Sequence, residues 1–164
     1  MAPPVTISPS NLPYRPAVGM MMLNAVGLVF VGKRIDQTVE AWQMPQGGID
    51  KGEEPRQAAL RELKEEVGTD NVEFLREYPD WLTYELPTRL VGVAWQGRYR
   101  GQKQKWFALR FLGKDSEIDL KTDDQEFSEW RWVAADDLLS LIVPFKRETY
   151  AAVVAAFRDL AKPS

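Results

Sequence analysis

The chain has 164 residues, 45% of them hydrophobic and 27% charged, which suits one globular domain with a sizeable core rather than a disordered segment. A net charge of −3 speaks against a broad grip on DNA or other long nucleic acid, which rests on many Lys and Arg contacts, and leaves only a local polyphosphate site open. With neither cysteine nor histidine, the chain has no disulfide, thiol nucleophile, zinc–thiolate site or imidazole base, so acid–base work falls to carboxylates, lysines or tyrosines.

In chain order, residues 1–13 are rich in Pro, Ser and Asn and read as a flexible lead-in, with a single domain expected over 14–164. The first residues lack the regions of a signal peptide and no apolar run reaches about 18 residues, so a cytoplasmic protein without a membrane span is expected. The apolar stretches 18–23 and 25–31, separated by Asn24, read as neighbouring strands, and 41–45 as an extended lead into a glycine-rich loop. A helix is expected over 55–68, opened by Pro55 in its first turn and closed by Gly68 as its C-cap. Strands follow at 72–77, 81–86, 105–112 and 129–133, then a short helix at 136–140. An amphipathic helix over 146–160 carries Tyr150, Val153, Val154 and Phe157 on one face. This order predicts a mixed sheet with helices on both faces. The basic segment from Arg98 to Lys105 reads either as a solvated hairpin or loop, or as a collar that attracts polyphosphate.

The densest chemistry lies between Gly47 and Gly68, where Gly47, Gly48 and Gly52 precede a helix rich in carboxylates. At roughly 100° per residue, Glu62, Glu65 and Glu66 fall within an arc of about 100°, while Leu60, Leu63 and Val67 face elsewhere. Carboxylates this close repel, and keeping them ionised calls for a hard cation such as Mg²⁺ between them. Taken alone, Arg61 and Glu65 also fit an ordinary i,i+4 pair on a solvated face.

The spacing of Gly47, Glu53, Arg61, Glu62, Leu63, Glu65, Glu66 and Gly68 resembles the Nudix box, Gly-x5-Glu-x7-Arg-Glu-U-x-Glu-Glu-x-Gly-U, with Thr69 in place of the final aliphatic residue. The resemblance implies an α/β/α sandwich with a mixed sheet and a catalytic loop–helix–loop, and metal-dependent hydrolysis of a phosphoanhydride. It further implies that Glu62, Glu65, Glu66 and the main chain near Gly47 and Gly48 hold Mg²⁺, with Mn²⁺ or another divalent cation able to substitute. One of the glutamates, or a carboxylate from a later loop, would take the proton of the attacking water. Arg61 would orient carboxylates, and Glu53 serves equally as its salt-bridge partner or as a metal contact.

Further strings, Tyr14-Arg15-Pro16-Ala17-Val18-Gly19, Trp42-Gln43-Met44-Pro45-Gln46-Gly47-Gly48, Trp81-Leu82-Thr83-Tyr84-Glu85-Leu86-Pro87, Gly101-Gln102-Lys103-Gln104-Lys105-Trp106-Phe107 and Pro144-Phe145-Lys146-Arg147-Glu148-Thr149-Tyr150, resemble the Nudix subgroup of bacterial RNA pyrophosphohydrolases and dinucleoside polyphosphate hydrolases. That likeness implies either removal of pyrophosphate from a triphosphorylated RNA 5′ end or cleavage of diadenosine tetraphosphate to ATP and AMP. It assigns Arg15 to phosphate, Tyr84 and Lys105 to the polyphosphate chain, and Phe145 with Arg34 to a sandwich around a base. It also gives Lys146 to phosphate or a base edge, and makes Glu126 an extra metal ligand or base. Another nucleotide substrate such as ADP-ribose, or a non-catalytic nucleotide sensor, remains compatible with the same residues, and no protein partner is legible.

Overall fold

The computed structural model describes residues 11–35 and 41–164; most of the expected lead-in, residues 1–10, lies outside the described residues. Strand β1 (Tyr14–Leu23) runs parallel to the long strand Gly101–Phe111, from Tyr14 opposite Gly101 to Leu23 opposite Arg110. In chain order the others are β2 (Val29–Arg34), β3 (Trp42–Gln43), β4 (Gln46–Gly48), β5 (Val72–Glu77), β6 (Leu82–Glu85), the long strand as β7, and β8 (Phe127–Val133). β4 and β2 pair with β1, β3 and β8 with β2, and β5 and β6 with β7, all antiparallel, giving one mixed sheet of eight strands.

β1 is apolar without alternation because both its faces are buried. Val18, Met20 and Met22 pack with Ala58, Ala59, Leu63 and Val67 of helix α1 (Pro55–Val67). Met21 and Leu23 pack with Leu138 of α2 (Leu138–Leu141) and with Tyr150, Val153, Val154 and Phe157 of α3 (Arg147–Phe157). Helices therefore cover both faces of the sheet, as the sequence leads one to expect. Among the described residues, no helix is long and apolar enough to cross a membrane.

Several ends differ from expectation. β7 begins at Gly101 rather than at 105, so the basic segment is largely the start of a strand and not a loop. Its inward positions are amides: Gln104 Nε2 donates to Gln46 Oε1 at 3.0 Å, and Trp106 Nε1 donates to Gln104 Oε1 at 3.0 Å. Its cations point outward, Arg100 onto Glu85 at 2.8 Å and Lys103 over the Trp81 ring at 5.3 Å. Residues 25–28 form the turn after β1, held by Asn24 Oδ1, which accepts the amides of Val26 and Leu28 at 3.1 and 2.9 Å.

Gly19 shows how tightly β1 is packed. A Cβ there would fall 2.3–2.5 Å from three atoms of the Trp106 indole, which is fully buried and stands edge-on to Tyr150 at 5.7 Å. Gly19→Ala is therefore expected to destabilise the fold by about 3 kcal/mol or more, the upper range for overpacking. Urea unfolding checks this, and an unchanged midpoint would refute the packing described.

Candidate active site

Helix α1 and the loop before it are built by local rules. Gln57 Oε1 accepts the Glu54 amide at 3.0 Å, Pro55 fills the first turn, and Gly68, at φ 83°, ends the helix by donating its amide to Lys64 O at 3.0 Å. Thr69, the departure from the box, is buried and accepts the Asn71 amide on Oγ1 at 3.1 Å, so its hydroxyl supports the turn where an aliphatic side chain would only pack.

Arg61 organises the acidic face. Its Nε and Nη2 donate to the two carboxylate oxygens of Glu53 at 2.8 and 2.9 Å, and Nη2 also donates to Gly48 O at 2.8 Å. Nη1 reaches Glu62 at 2.9 Å and Glu65 at 3.2 Å. This fork holds the Glu53 carboxyl at about 2, well below the usual carboxylate range. Glu53 thus stabilises the fold above its unfolded value of 4.5, and that contribution fades as pH falls toward 2. Glu53→Gln is expected to flatten the acid limb of a stability-against-pH curve between those values, and an unaltered limb would contradict the pairing.

Glu66 behaves oppositely. It shares the buried face with Leu63 and Val67, 6% exposed, so the acidic arc does not simply point to water. Its Oε2 accepts the Gln46 amide at 3.2 Å, yet burial, then Glu62 and Glu126, push its carboxyl well above the usual range. Burial also raises Glu62 in spite of Arg61. Gly47 is required here, because a Cβ would fall 2.0 Å from Glu62 Cδ; the glycine main chain and the Glu62 carboxylate therefore abut directly.

These groups line a cavity of about 310 Å³. Glu62, Glu65, Glu66, Asp124 and Glu126 supply carboxylates, and Arg15 and Arg34 supply cations. Gln46, Gly47, Gly48, Trp95 and Gln102 complete the wall. The donors are all oxygens, the set that a hard divalent cation prefers, and the abutting glycine and the buried Glu66 fit such an ion. Among the described residues, no three acidic side chains converge into a finished cage, because Arg61 draws Glu62 and Glu65 toward itself.

Of the residues singled out from sequence, Arg15, Arg34, Gly47, Glu62, Glu65, Glu66 and Glu126 meet in this cavity, with Arg61 and Glu53 behind it. Tyr84 and Phe145 line a neighbouring depression of about 360 Å³, their rings 5.6 Å apart, and Lys146 Nζ lies 5.5 Å from the Tyr84 ring. The Tyr84 hydroxyl, pushed up to about 12 by burial, bonds to Gln46 and so joins the two depressions. Arg34 lines the carboxylate cavity and Phe145 the neighbouring depression, with Tyr84, which feels the Arg34 charge, between them. Lys105 lies outside this cavity lining, its Nζ donating to Pro79 O at 2.9 Å. Trp95, Gln102 and Asp124 escaped the sequence reading; only the acidic run around Asp124 gave a usable signal.

A profile described as NUDIX domain matches residues 13–153. A Cereibacter sphaeroides protein named RNA pyrophosphohydrolase is 58% identical over 155 residues, covering 93% of this chain and 96% of that one. A Rhodospirillum rubrum protein of the same name is 54% identical over 163 residues, covering 99% and 98%. In fold, the chain is similar to the E. coli dihydroneopterin triphosphate pyrophosphohydrolase, with a TM-score of 0.66 and 20% identity over 88% of this chain and 99% of that one. The glycine loop, the arginine-braced glutamates and the matched profile agree, and the chain belongs to the Nudix family.

Proposed function

We propose that this protein hydrolyses the phosphoanhydride of a 5′-triphosphorylated RNA end, releasing pyrophosphate and leaving a 5′-monophosphate, with Mg²⁺ or a similar divalent cation as cofactor. The observation that carries this reading is the single cavity with five carboxylates and with Arg15 and Arg34 in its wall, in a chain 58% identical to a protein named for that activity. Glu62, Glu65, Glu66, Glu126 and the Gly47 main chain would hold the cation. When bound, it neutralises phosphate oxygens and makes water a better nucleophile.

The chain's own groups do the rest. Arg15 and Arg34 bind the phosphate chain as cations at the wall, placing the scissile anhydride against the carboxylates. Arg61 touches no substrate in this scheme and fixes the directions of Glu53, Glu62 and Glu65. Water adds to phosphorus, its proton passes to one of the cavity carboxylates, and the bond to the bridging oxygen breaks as pyrophosphate leaves. Phe145, half-buried beside the buried Tyr84 ring and Lys146 ammonium, offers an adjacent aromatic face for the nucleoside that follows.

Parallel kinetics on 5′-triphosphorylated RNA and on diadenosine tetraphosphate, with products resolved, test the choice. The expected result is a higher kcat/KM for RNA with pyrophosphate as product. Preference for the dinucleotide, with ATP and AMP released, would move the assignment to that substrate.

A further inference from the structure

Among the described residues, Trp95 is the only aromatic ring that lines the carboxylate cavity, and nothing in the reaction described above uses it. Its placement is costly. Trp95 and Gln96 both lie in the left-handed region, at φ 51° and 59°, where side chains that carry a Cβ are strained. The flanking glycines Gly92 and Gly97 also have positive φ, 89° and 74°, and a Cβ on Gly97 would fall 3.1 Å from Gly92 O, so the backbone of the loop closes tightly on itself. Tyr99 braces the ring edge-on at 6.2 Å. Backbone strain of this kind persists only where surroundings enforce it, and it gathers at sites of function.

The indole meets Arg15. The guanidinium carbon lies 5.4 Å from the Trp95 ring centroid, over its face, while Nη2 sits so close to Gly48 that a Cβ there would approach it to 2.3 Å. Contact through the π face differs in kind from an ion pair. It steadies the planar cation without engaging the in-plane N–H edge that recognises phosphate. An ion pair with a cavity carboxylate would engage that edge and take Arg15 out of use.

We propose that Trp95 is a positioning residue of the substrate site, its indole face holding the Arg15 guanidinium between the ring and the Gly48 main chain so that the N–H edge meets the phosphate chain of the substrate. The proposal rests on the assignment of a phosphate chain to this cavity. It concerns phosphate and not the nucleobase, which makes it separable from the obvious alternative, a stacking platform for a base.

The test is a double-mutant cycle. Trp95→Gly removes the ring and leaves a residue that accepts the left-handed backbone, so the fold is expected to survive; its melting temperature verifies this, and Trp95→Phe restores a π face. With 5′-triphosphorylated RNA, W95G is expected to raise KM about three- to ten-fold, the scale of one half-buried cation–π contact, with little change in kcat. W95F recovers most of the loss, and the R15A/W95G double variant is no worse than R15A alone. Affinity for inorganic tripolyphosphate in Mg²⁺, measured by calorimetry, is expected to fall by a similar factor although that ligand has no base. Additive losses in the cycle, or tripolyphosphate affinity untouched by W95G, overturn the proposal; the latter marks Trp95 as a base platform. A wild-type protein that binds tripolyphosphate but releases no pyrophosphate from RNA would sink the functional assignment instead, leaving the calorimetric cycle to decide the role of Trp95.

Discussion

Glu66→Gln is expected to lower turnover by orders of magnitude while making the metal-free protein more stable. The buried carboxylate is held among Leu63, Val67 and the Gln46 amide, and it faces the charges of Glu62 and Glu126. Its carboxyl titrates well above the unfolded value of 4.5, so the folded state favours the neutral acid. That preference stabilises the protein below the unfolded value and is lost as pH rises through the folded one. A glutamine keeps the shape and an oxygen for the Gln46 amide but carries no charge at any pH. The gain at neutral pH is about 1–3 kcal/mol, the usual penalty of an uncompensated buried polar group. For a chain of this length it raises Tm by about 2–4 °C per kcal/mol.

Function responds in the other direction. Loss of a carboxylate proposed to bind the cation or take the proton is expected to lower kcat by about 10²–10⁴-fold. Added Mg²⁺ should stabilise the wild type, by roughly 2.7 kcal/mol at a hundred times Kd, and the variant much less. Thermal melts of both proteins with Mg²⁺ and with chelator read all of this. A variant less stable than the wild type without metal would mean that Glu66 serves as an ordinary structural acceptor.

Removing Arg61 should cost both stability and activity. One side chain, 28% exposed, satisfies Glu53 through two bonds, Glu62 and Glu65 through a third nitrogen, and the Gly48 carbonyl. Arg61→Ala leaves these acceptors together with no cation between them. Breaking a part-buried cluster from one side costs about 1–3 kcal/mol, below the figure for a fully buried pair because water still reaches the charges left behind. Arg61→Lys keeps one charge but loses the planar fork, and is expected to recover less than half of the loss. Because a divalent cation can take over part of the neutralisation at Glu62 and Glu65, the deficit should shrink in saturating Mg²⁺. Urea midpoints with and without Mg²⁺ measure it; a deficit that Mg²⁺ leaves unchanged would place Arg61 outside the cation site.

Sequence carried the fold wherever burial followed apolar pattern. β5, α1 and the buried face of α3 lie where periodicity puts them, because Val, Leu, Ala and Phe do the packing there. β7 began late in the reading because its inward residues, Gln102 and Gln104, are polar amides joined into a buried network; a hydrophobic pattern cannot register a strand that buries glutamine. The cluster of carboxylates was legible from spacing, since one helix and one loop carry most of it. Its outer wall was not. Arg34 and Phe145 line neighbouring depressions, Lys105 turns to Pro79, and Trp95 enters through a left-handed turn, all consequences of tertiary placement that local sequence does not encode.

Cation-dependent hydrolysis of an RNA 5′ triphosphate at the cavity braced by Arg61 is tested most directly by release of pyrophosphate from 5′-triphosphorylated RNA by the wild-type protein, followed with Mg²⁺ and with excess chelator. Stoichiometric pyrophosphate and 5′-monophosphorylated RNA in Mg²⁺, and none with chelator, is the expected result. Equal release under both conditions, or RNA left intact in both, would contradict it.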